Sequence, residues 1–321
     1  MEKQLIAEPE ITVRSRTPVQ PLVTKHPRER PSADTRRSRS FFGNRFVYAV
    51  ISQRASGLSI GVNLNPDQFC NFDCTYCEID RQHVDGHAQA NKRVDADVLG
   101  RELQDMLGRA FSGKMRELPG YERIPEELLN LKEVALSGDG EPTLCPNFAE
   151  AVETVVHLRA LGLFPFFKVV LITNATGLHL PEVQRGLGLL TPKDQIWVKL
   201  ETGSEAAFNA INRPSTPPID SPDTSLEHVM RNILEMGQQR PIVIQSLFPA
   251  IDGKGPSPQE IDAYVQRLQS LKDAGAQISL VQVYSAHRVS ANPRCSHLPL
   301  KSLSDIARRV REVTGLRAEV F

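Results

Sequence analysis

No run of about 20 consecutive apolar residues, the length a helix needs to cross a bilayer, occurs in this sequence. Neither sign of charge is in excess: 38 lysines and arginines face 38 aspartates and glutamates over 321 residues. The whole chain therefore has no field that would by itself recruit nucleic acid or an anionic membrane. The N-terminus carries Glu2, Glu8 and Glu10 and lacks the basic and apolar regions of a signal peptide, so the expected location is the cytoplasm. Cysteine is scarce as well. Five in a chain of this length are too few for a disulfide framework and odd in number, and three of them fall within eight residues. That clustering points to metal rather than to covalent staples.

What is present suits a globular α/β protein, since 40% apolar residues can fill a core. Residues 1–46 differ from the rest, with prolines at 9, 18, 21, 27 and 31 and ten Lys/Arg against five Asp/Glu. This composition reads as an extended or mobile arm, either a solvated tail or a grip on an anionic partner. From 47 to 321 strand-like and helix-like segments alternate. Strands are expected over 58–65, 132–137, 167–173, 195–201, 241–248 and 277–284, with a short terminal one over 316–320. Helices are expected over 94–110, 147–161, 180–190, 205–211, 226–236, 257–275 and 303–313. The helix from 257 carries the clearest start signal: Ser257 caps, Glu260 reaches back to the cap's backbone N–H, and Gly275 closes. Six β-α units predict an all-parallel sheet covered by helices, an incomplete (β/α)6 barrel with its ligand sites at the C-terminal strand ends.

Cys70, Cys74 and Cys77 spell C-x3-C-x2-C directly after the first of these strands. A loop this short can wrap three thiolates round one corner of a [4Fe–4S] cluster and leave one iron open. Zinc is the rival, with Cys74, Cys77, His83 and His87 as mixed ligands, although Cys70 would then be redundant. One unit later comes Ser137-Gly138-Asp139-Gly140-Glu141-Pro142-Thr143-Leu144. Gly138 and Gly140 let the backbone approach a ligand, and Glu141 can accept from an ammonium group; a tight turn with a helix cap is the plain alternative. In the fifth strand Gln245 and Ser246 either line the barrel or pair in the core. Cys145 is expected to pack at the start of the second helix. Cys295, near His287 and His297, is either a surface thiol or a substrate contact.

The cysteine loop, with the aromatic Tyr76 before its third cysteine, and the Gly138 to Pro142 run resemble the cluster loop and Gly-Gly-Glu-Pro motif of the radical S-adenosylmethionine (SAM) superfamily. The resemblance implies an enzyme that binds one [4Fe–4S] cluster on Cys70, Cys74 and Cys77, with SAM chelating the open iron. An electron from the reduced cluster then splits SAM to a 5′-deoxyadenosyl radical. It implies SAM contacts at Tyr76, Gly138, Gly140, Glu141, Thr173, Asn174 and Lys199, and an electron donor such as flavodoxin or ferredoxin as a partner. Lys199 and Glu201 stand where many members carry Ser and Asp.

Together with Ile211-Asn212-Arg213-Pro214, these motifs are most similar to the branch related to the wyosine-base synthase of tRNA, over roughly residues 50–285. That enzyme holds a second cluster on N-terminal cysteines, and no cysteine precedes Cys70 here. Wyosine synthesis itself is therefore not expected. The substrate classes left open are a nucleotide in RNA or another molecule, and a peptide or protein matured by radical chemistry. A third reading is a non-catalytic iron–sulfur or zinc protein for binding or sensing.

Overall fold

Near-continuous apolar strands that alternate with amphipathic helices can bury both faces of a sheet only by wrapping helices over it. The computed structural model of the protein describes residues 42–81, 93–215, 223–286 and 288–321. In it β1 (Val47–Ser52), β2 (Gly57–Val62), β3 (Leu131–Leu136), β4 (Lys168–Thr173), β5 (Gln195–Lys199) and β6 (Ile242–Leu247) run in chain order across one sheet. The strand β7 (Pro249–Ile251) leaves that sheet, β8 (Ile278–Tyr284) returns to it, β9 (Cys295–His297) pairs with β7, and β10 (Ala318–Val320) forms the far edge. The eight strands form a half-barrel of order β1-β2-β3-β4-β5-β6-β8-β10. Its helices are α1 (Ala96–Phe111), α2 (Phe148–Ala160), α3 (Pro181–Leu187), α4 (Glu205–Ile211), α5 (Leu226–Gln239), α6 (Pro258–Asp273) and α7 (Leu300–Thr314).

The six expected β-α units are present, and the incomplete parallel barrel with them. The all-parallel expectation needs correction, because β1 pairs antiparallel with β2, Val47 opposite Val62. A four-residue turn, 53–56, suffices for that hairpin, whereas every parallel neighbour needs a crossover. The short antiparallel pair β7·β9 was also not expected.

Ser40–Phe321 forms one compact unit. The arm expected over 1–46 lies, up to residue 41, outside the described residues. Its last residues belong to the packed domain: Phe46 is fully buried, and Glu102 of α1 accepts from the amides of Arg45, Phe46 and Val47 at 2.6, 2.8 and 3.2 Å.

Asp95 caps α1 by accepting from Val98 N at 3.0 Å, and the helix buries Leu99, Leu103, Met106 and Leu107. Burial of each such side chain is worth roughly 1.5–3 kcal/mol, so docking rather than propensity holds the helix. Ser257 caps α6 as expected, accepting from Glu260 N at 3.2 Å. Glu260 does not reach back to the cap. Its carboxylate accepts instead from Gly203 N, Ser204 N and Ser204 Oγ at 2.6, 3.3 and 2.6 Å, tying α6 to the start of α4. A set of unpaired helix-start donors nearby outcompeted the local partner. No helix among the described residues is long and apolar enough to cross a membrane.

Strand register divides the sheet into two faces. Val134, Leu136, Val169, Leu171, Ile196, Val198, Ile244, Val281 and Val283 join the main core, under the helices. The concave face carries Val170, Trp197, Val243 and Leu280 as an apolar patch, with Lys199, Gln245, Gln282, Leu247 and Tyr284 in register beyond them. Of the expected pair, Gln245 therefore lines the barrel, donating to Gln282 Oε1 at 3.2 Å, while Ser246 faces outward onto the Tyr264 hydroxyl at 2.6 Å.

Candidate functional site

The loop after β2 carries the three cysteines to the C-terminal mouth of the half-barrel, where the loops after β3, β4, β5 and β8 meet it. Each sulfur faces one N–H donor. Phe72 N points to Cys70 Sγ at 3.5 Å, Asn212 Nδ2 to Cys74 Sγ at 3.8 Å, and an Arg81 guanidinium nitrogen to Cys77 Sγ at 3.8 Å. Donors so placed favour thiolate, and hydrogen bonds to sulfur are one of the levers that set a cluster's potential. Without metal, burial pushes the Cys70 thiol up to about 11, against the pull of Arg81. Burial, with Glu201 nearby, raises Cys74 further. Metal coordination is what turns such thiols into thiolates.

Among the described residues no three His, Cys, Asp or Glu side chains converge on the position of one metal ion. A single zinc ion needs its sulfurs within about 2.3 Å of one point, whereas a [4Fe–4S] cluster sets its cysteines on separate irons. The donor set fits the cluster; His83 and His87 of the zinc alternative lie outside the described residues. Beside Cys74 and Cys77 the loop opens to a cleft of about 250 Å³ that also involves Arg81, Arg213 and Asn292.

The cysteine loop is held from several sides. Asp73 N and Thr75 N donate to the carbonyls of Arg213 and Ile211 at 3.1 and 2.8 Å, and Ser215 N to Asn71 O at 2.9 Å. The Ile211 to Pro214 motif is thus a backbone partner for the loop, with Arg213 turned to a φ of 46° and its side chain paired to Asp73 at 2.9 Å. From the loop after β8, Ser290 Oγ donates to Thr75 O at 2.7 Å and Ala291 N to Cys77 O at 2.8 Å. Arg81 donates to Asp139 O at 2.7 Å and to Gln68 O, joining the cysteine loop to the glycine loop. Burial works against its charge, but the sulfurs of Cys70, Cys77 and Cys74 raise its pKa.

The two glycines bring their loop against its neighbours. A Cβ on Gly138 would lie 2.3 Å from Asn63 Oδ1, and one on Gly140 only 1.8 Å from Phe69 O. The glycine loop thus approaches the cysteine loop closely, sealed by Glu141 N donating to Phe69 O at 3.1 Å. Glu141 is 3% exposed, and its carboxylate accepts from Thr143 N at 3.1 Å, Thr143 Oγ1 at 2.6 Å, Asn174 N at 2.7 Å and Thr173 Oγ1. Burial raises its pKa against those four hydrogen bonds. The Asn174 side chain is also spent inside the protein, donating to Asn71 Oδ1 at 2.8 Å and accepting from Thr176 Oγ1 at 2.7 Å. Glu141, Thr173 and Asn174 therefore form one knot that fixes both loops.

Tyr76 is buried, and its hydroxyl donates to Glu201 Oε1 at 2.6 Å. Asn212 Nδ2 donates to Glu201 Oε2 at 2.9 Å, and Lys199 Nζ lies 3.9 Å from Oε1 and 5.0 Å from the Tyr76 ring. Burial acts to lower the Lys199 pKa, yet Tyr284, Glu201 and Cys74 raise it, so it is a cation. Tyr76, Leu247 and Tyr284 pack as one apolar patch against Cys74 and Cys295. Orphaned buried polar atoms collect in these same segments: Thr75 Oγ1, Thr202 Oγ1 and Asn212 Oδ1 have no hydrogen-bond partner. Such atoms suit a polar ligand that supplies the partners. Cys145 is buried at the start of α2, as expected, and Cys295 is half-buried in β9.

Arg81, Asn71, Asn212 and Ser290 escaped the sequence reading. Asn71 and Asn212 had a signal there, through the motifs containing them.

A family model described as the Radical SAM superfamily matches residues 64–245, more than half of the chain. A UPF0026 protein of Synechocystis is 30% identical over 171 residues, 52% of this chain and 52% of that protein. Another UPF0026 protein, of Methanocaldococcus jannaschii, is 23% identical over 168 residues, 52% and 44% of the two chains. The chain spans about half the length of these curated relatives. Among solved structures, TYW1 with a lysine-pyruvate adduct bound has a TM-score of 0.50 at 15% identity, covering 81% of this chain and 74% of that one. Streptococcus suis SuiB bound to its precursor peptide SuiA has a TM-score of 0.54 at 13% identity, covering 81% and 48%. At such identities the likeness is one of fold.

Proposed function

Because the chain belongs to the radical SAM superfamily, we propose that it cleaves SAM reductively at a [4Fe–4S] cluster on Cys70, Cys74 and Cys77 and acts on a nucleotide in RNA. The observation that carries the reading is three thiols on one loop, each met by an N–H donor, beside orphaned polar atoms at a barrel mouth. When bound, the cluster supplies one electron to SAM, and SAM supplies the radical. The protein's own part is to hold and to shield.

Arg81 and Asn212 place donors against two of the sulfurs, and the first of these carries a full charge that offsets the anionic cage. The knot of Glu141, Thr173 and Asn174 fixes the glycine loop against the cysteine loop. Gly138, Gly140 and Glu141 then act on SAM through the position of that loop. Tyr76, held by Glu201, presents a ring face beside Cys74, and Lys199 presents an ammonium to an anionic group of the cofactor. The apolar wall of Leu247 and Tyr284 excludes water from the same space.

Similarity of the motifs to the wyosine-base branch supports RNA as the substrate class. An electron donor such as flavodoxin or ferredoxin is part of the proposal. The test is anaerobic incubation of reconstituted protein with SAM and dithionite. 5′-Deoxyadenosine should form, and RNA from cells lacking the gene should differ in one nucleoside. Absence of 5′-deoxyadenosine would sink the enzymatic reading, while an altered peptide with unaltered RNA would move the substrate to the maturase class.

A further inference from the structure

The concave face carries three cations at described positions, Arg54, Lys168 and Lys199. Lys168 pairs with Glu133 at 3.4 Å and Lys199 with Glu201 at 3.9 Å. Glu319, on the same face at the β10 edge, is held by Arg317 at 2.7 Å. Arg54 is left over. It sits in the turn between β1 and β2, and its guanidinium lies over the Tyr284 ring, 4.5 Å from the centroid. Its Nε is buried with no hydrogen-bond partner, and among the described residues it makes no hydrogen bond or ion pair. Its charge reaches two other groups of this face: burial raises the Glu133 pKa and Arg54 pulls against that rise, and Arg54 likewise opposes the net rise at Lys199.

Tyr284 ties this cation to the site, since it packs with Tyr76 and Leu247 against Cys74. Next to it in register stand the buried, neutral amides of Gln245 and Gln282, the first donating to the second at 3.2 Å. A guanidinium with five donors and no acceptor, fixed over a ring and paired with no carboxylate among the described residues, is built to take an oxyanion in two parallel bonds. We propose that Arg54 anchors an oxyanion of the substrate, a carboxylate or a phosphate, at the wall of the barrel beside the cysteine loop. This rests on the reading of that loop as a radical SAM site, and it adds the chemical class of the molecule acted on: an anion held from the β1–β2 turn.

The test uses cluster-loaded protein with SAM bound, titrated calorimetrically with sodium acetate and with inorganic phosphate. Wild type should bind at least one, and the tighter of the two identifies the group. Arg54→Gln should weaken that binding by about tenfold or more, and Arg54→Lys by only a few-fold, since it keeps the charge and loses the fork. Arg54 makes no hydrogen bond to lose, so both variants should fold, and thermal unfolding checks it. Equal anion binding by wild type and Arg54→Gln, or none by wild type, overturns the inference. A fall in SAM affinity with anion binding unchanged would overturn it too, by moving Arg54 to the cofactor. Formation of 5′-deoxyadenosine by wild type, measured separately, reports on the radical SAM reading alone.

Discussion

Glu141→Gln tests whether the knot behind the glycine loop acts as the geometry says. The carboxylate takes Thr143 N, Thr143 Oγ1 and Thr173 Oγ1 on one oxygen and Asn174 N on the other. Glutamine keeps one acceptor and turns the other into a donor. The two threonine hydroxyls can rotate, but the amides of Thr143 and Asn174 cannot, so either orientation leaves one buried backbone N–H facing an NH2. An orphaned buried donor costs about 1–3 kcal/mol, and loss of the charge weakens the bonds that remain. A total of about 2–3 kcal/mol lowers the melting temperature by roughly 3–5 °C for a domain of this size. Thermal unfolding of the metal-free protein reads that loss, while iron content and equilibrium dialysis with SAM read the site. The cluster should remain, and SAM affinity should fall by about tenfold through the displaced loop. A variant with wild-type melting temperature and wild-type SAM affinity would refute both the knot and its link to the cofactor.

Cys74→Ala should lose the cluster and all SAM cleavage, which iron analysis and 5′-deoxyadenosine assay would show; full iron content would contradict it. Gly140→Ala pushes a methyl into Phe69 O, 1.8 Å from its ideal position. It should cost about 1–3 kcal/mol and deplete iron by prising the two loops apart, with unchanged iron as the failing result. Asp194, held by Arg159 at 2.6 and 3.0 Å and by Val169 N and Thr191, has a lowered pKa although burial acts to raise it. Its contribution is thus full above the unfolded value of about 3.9 and lost as pH falls through the lower folded value. Asp194→Asn should cost about 3–5 kcal/mol near pH 7 by stranding Arg159, and the gap to wild type should narrow below about pH 4; a gap independent of pH would contradict this.

The parallel half-barrel was legible because each of its strands is an apolar run followed by a helix of matching period, information carried within about ten residues. So were Cys70, Cys74 and Cys77, whose spacing is local. What stayed hidden depends on partners remote in sequence. β1 is an apolar run like the others, and nothing in Val47–Ser52 itself states that it turns back against β2. Glu260 looks like a capping-box residue until Gly203 and Ser204, some 57 residues away, offer it better donors. Asn212 reaches Cys74 across 138 residues. For Gly138, Gly140 and Glu141 the motif was visible, but its partner is the neighbouring loop, which only the fold brings near.

The central claim is one [4Fe–4S] cluster on Cys70, Cys74 and Cys77, and anaerobic analysis of iron, sulfide and zinc on protein purified without air tests it most directly. About four irons and four sulfides per chain, from three cysteine ligands and one open iron, is the predicted result. Stoichiometric zinc without iron would contradict it.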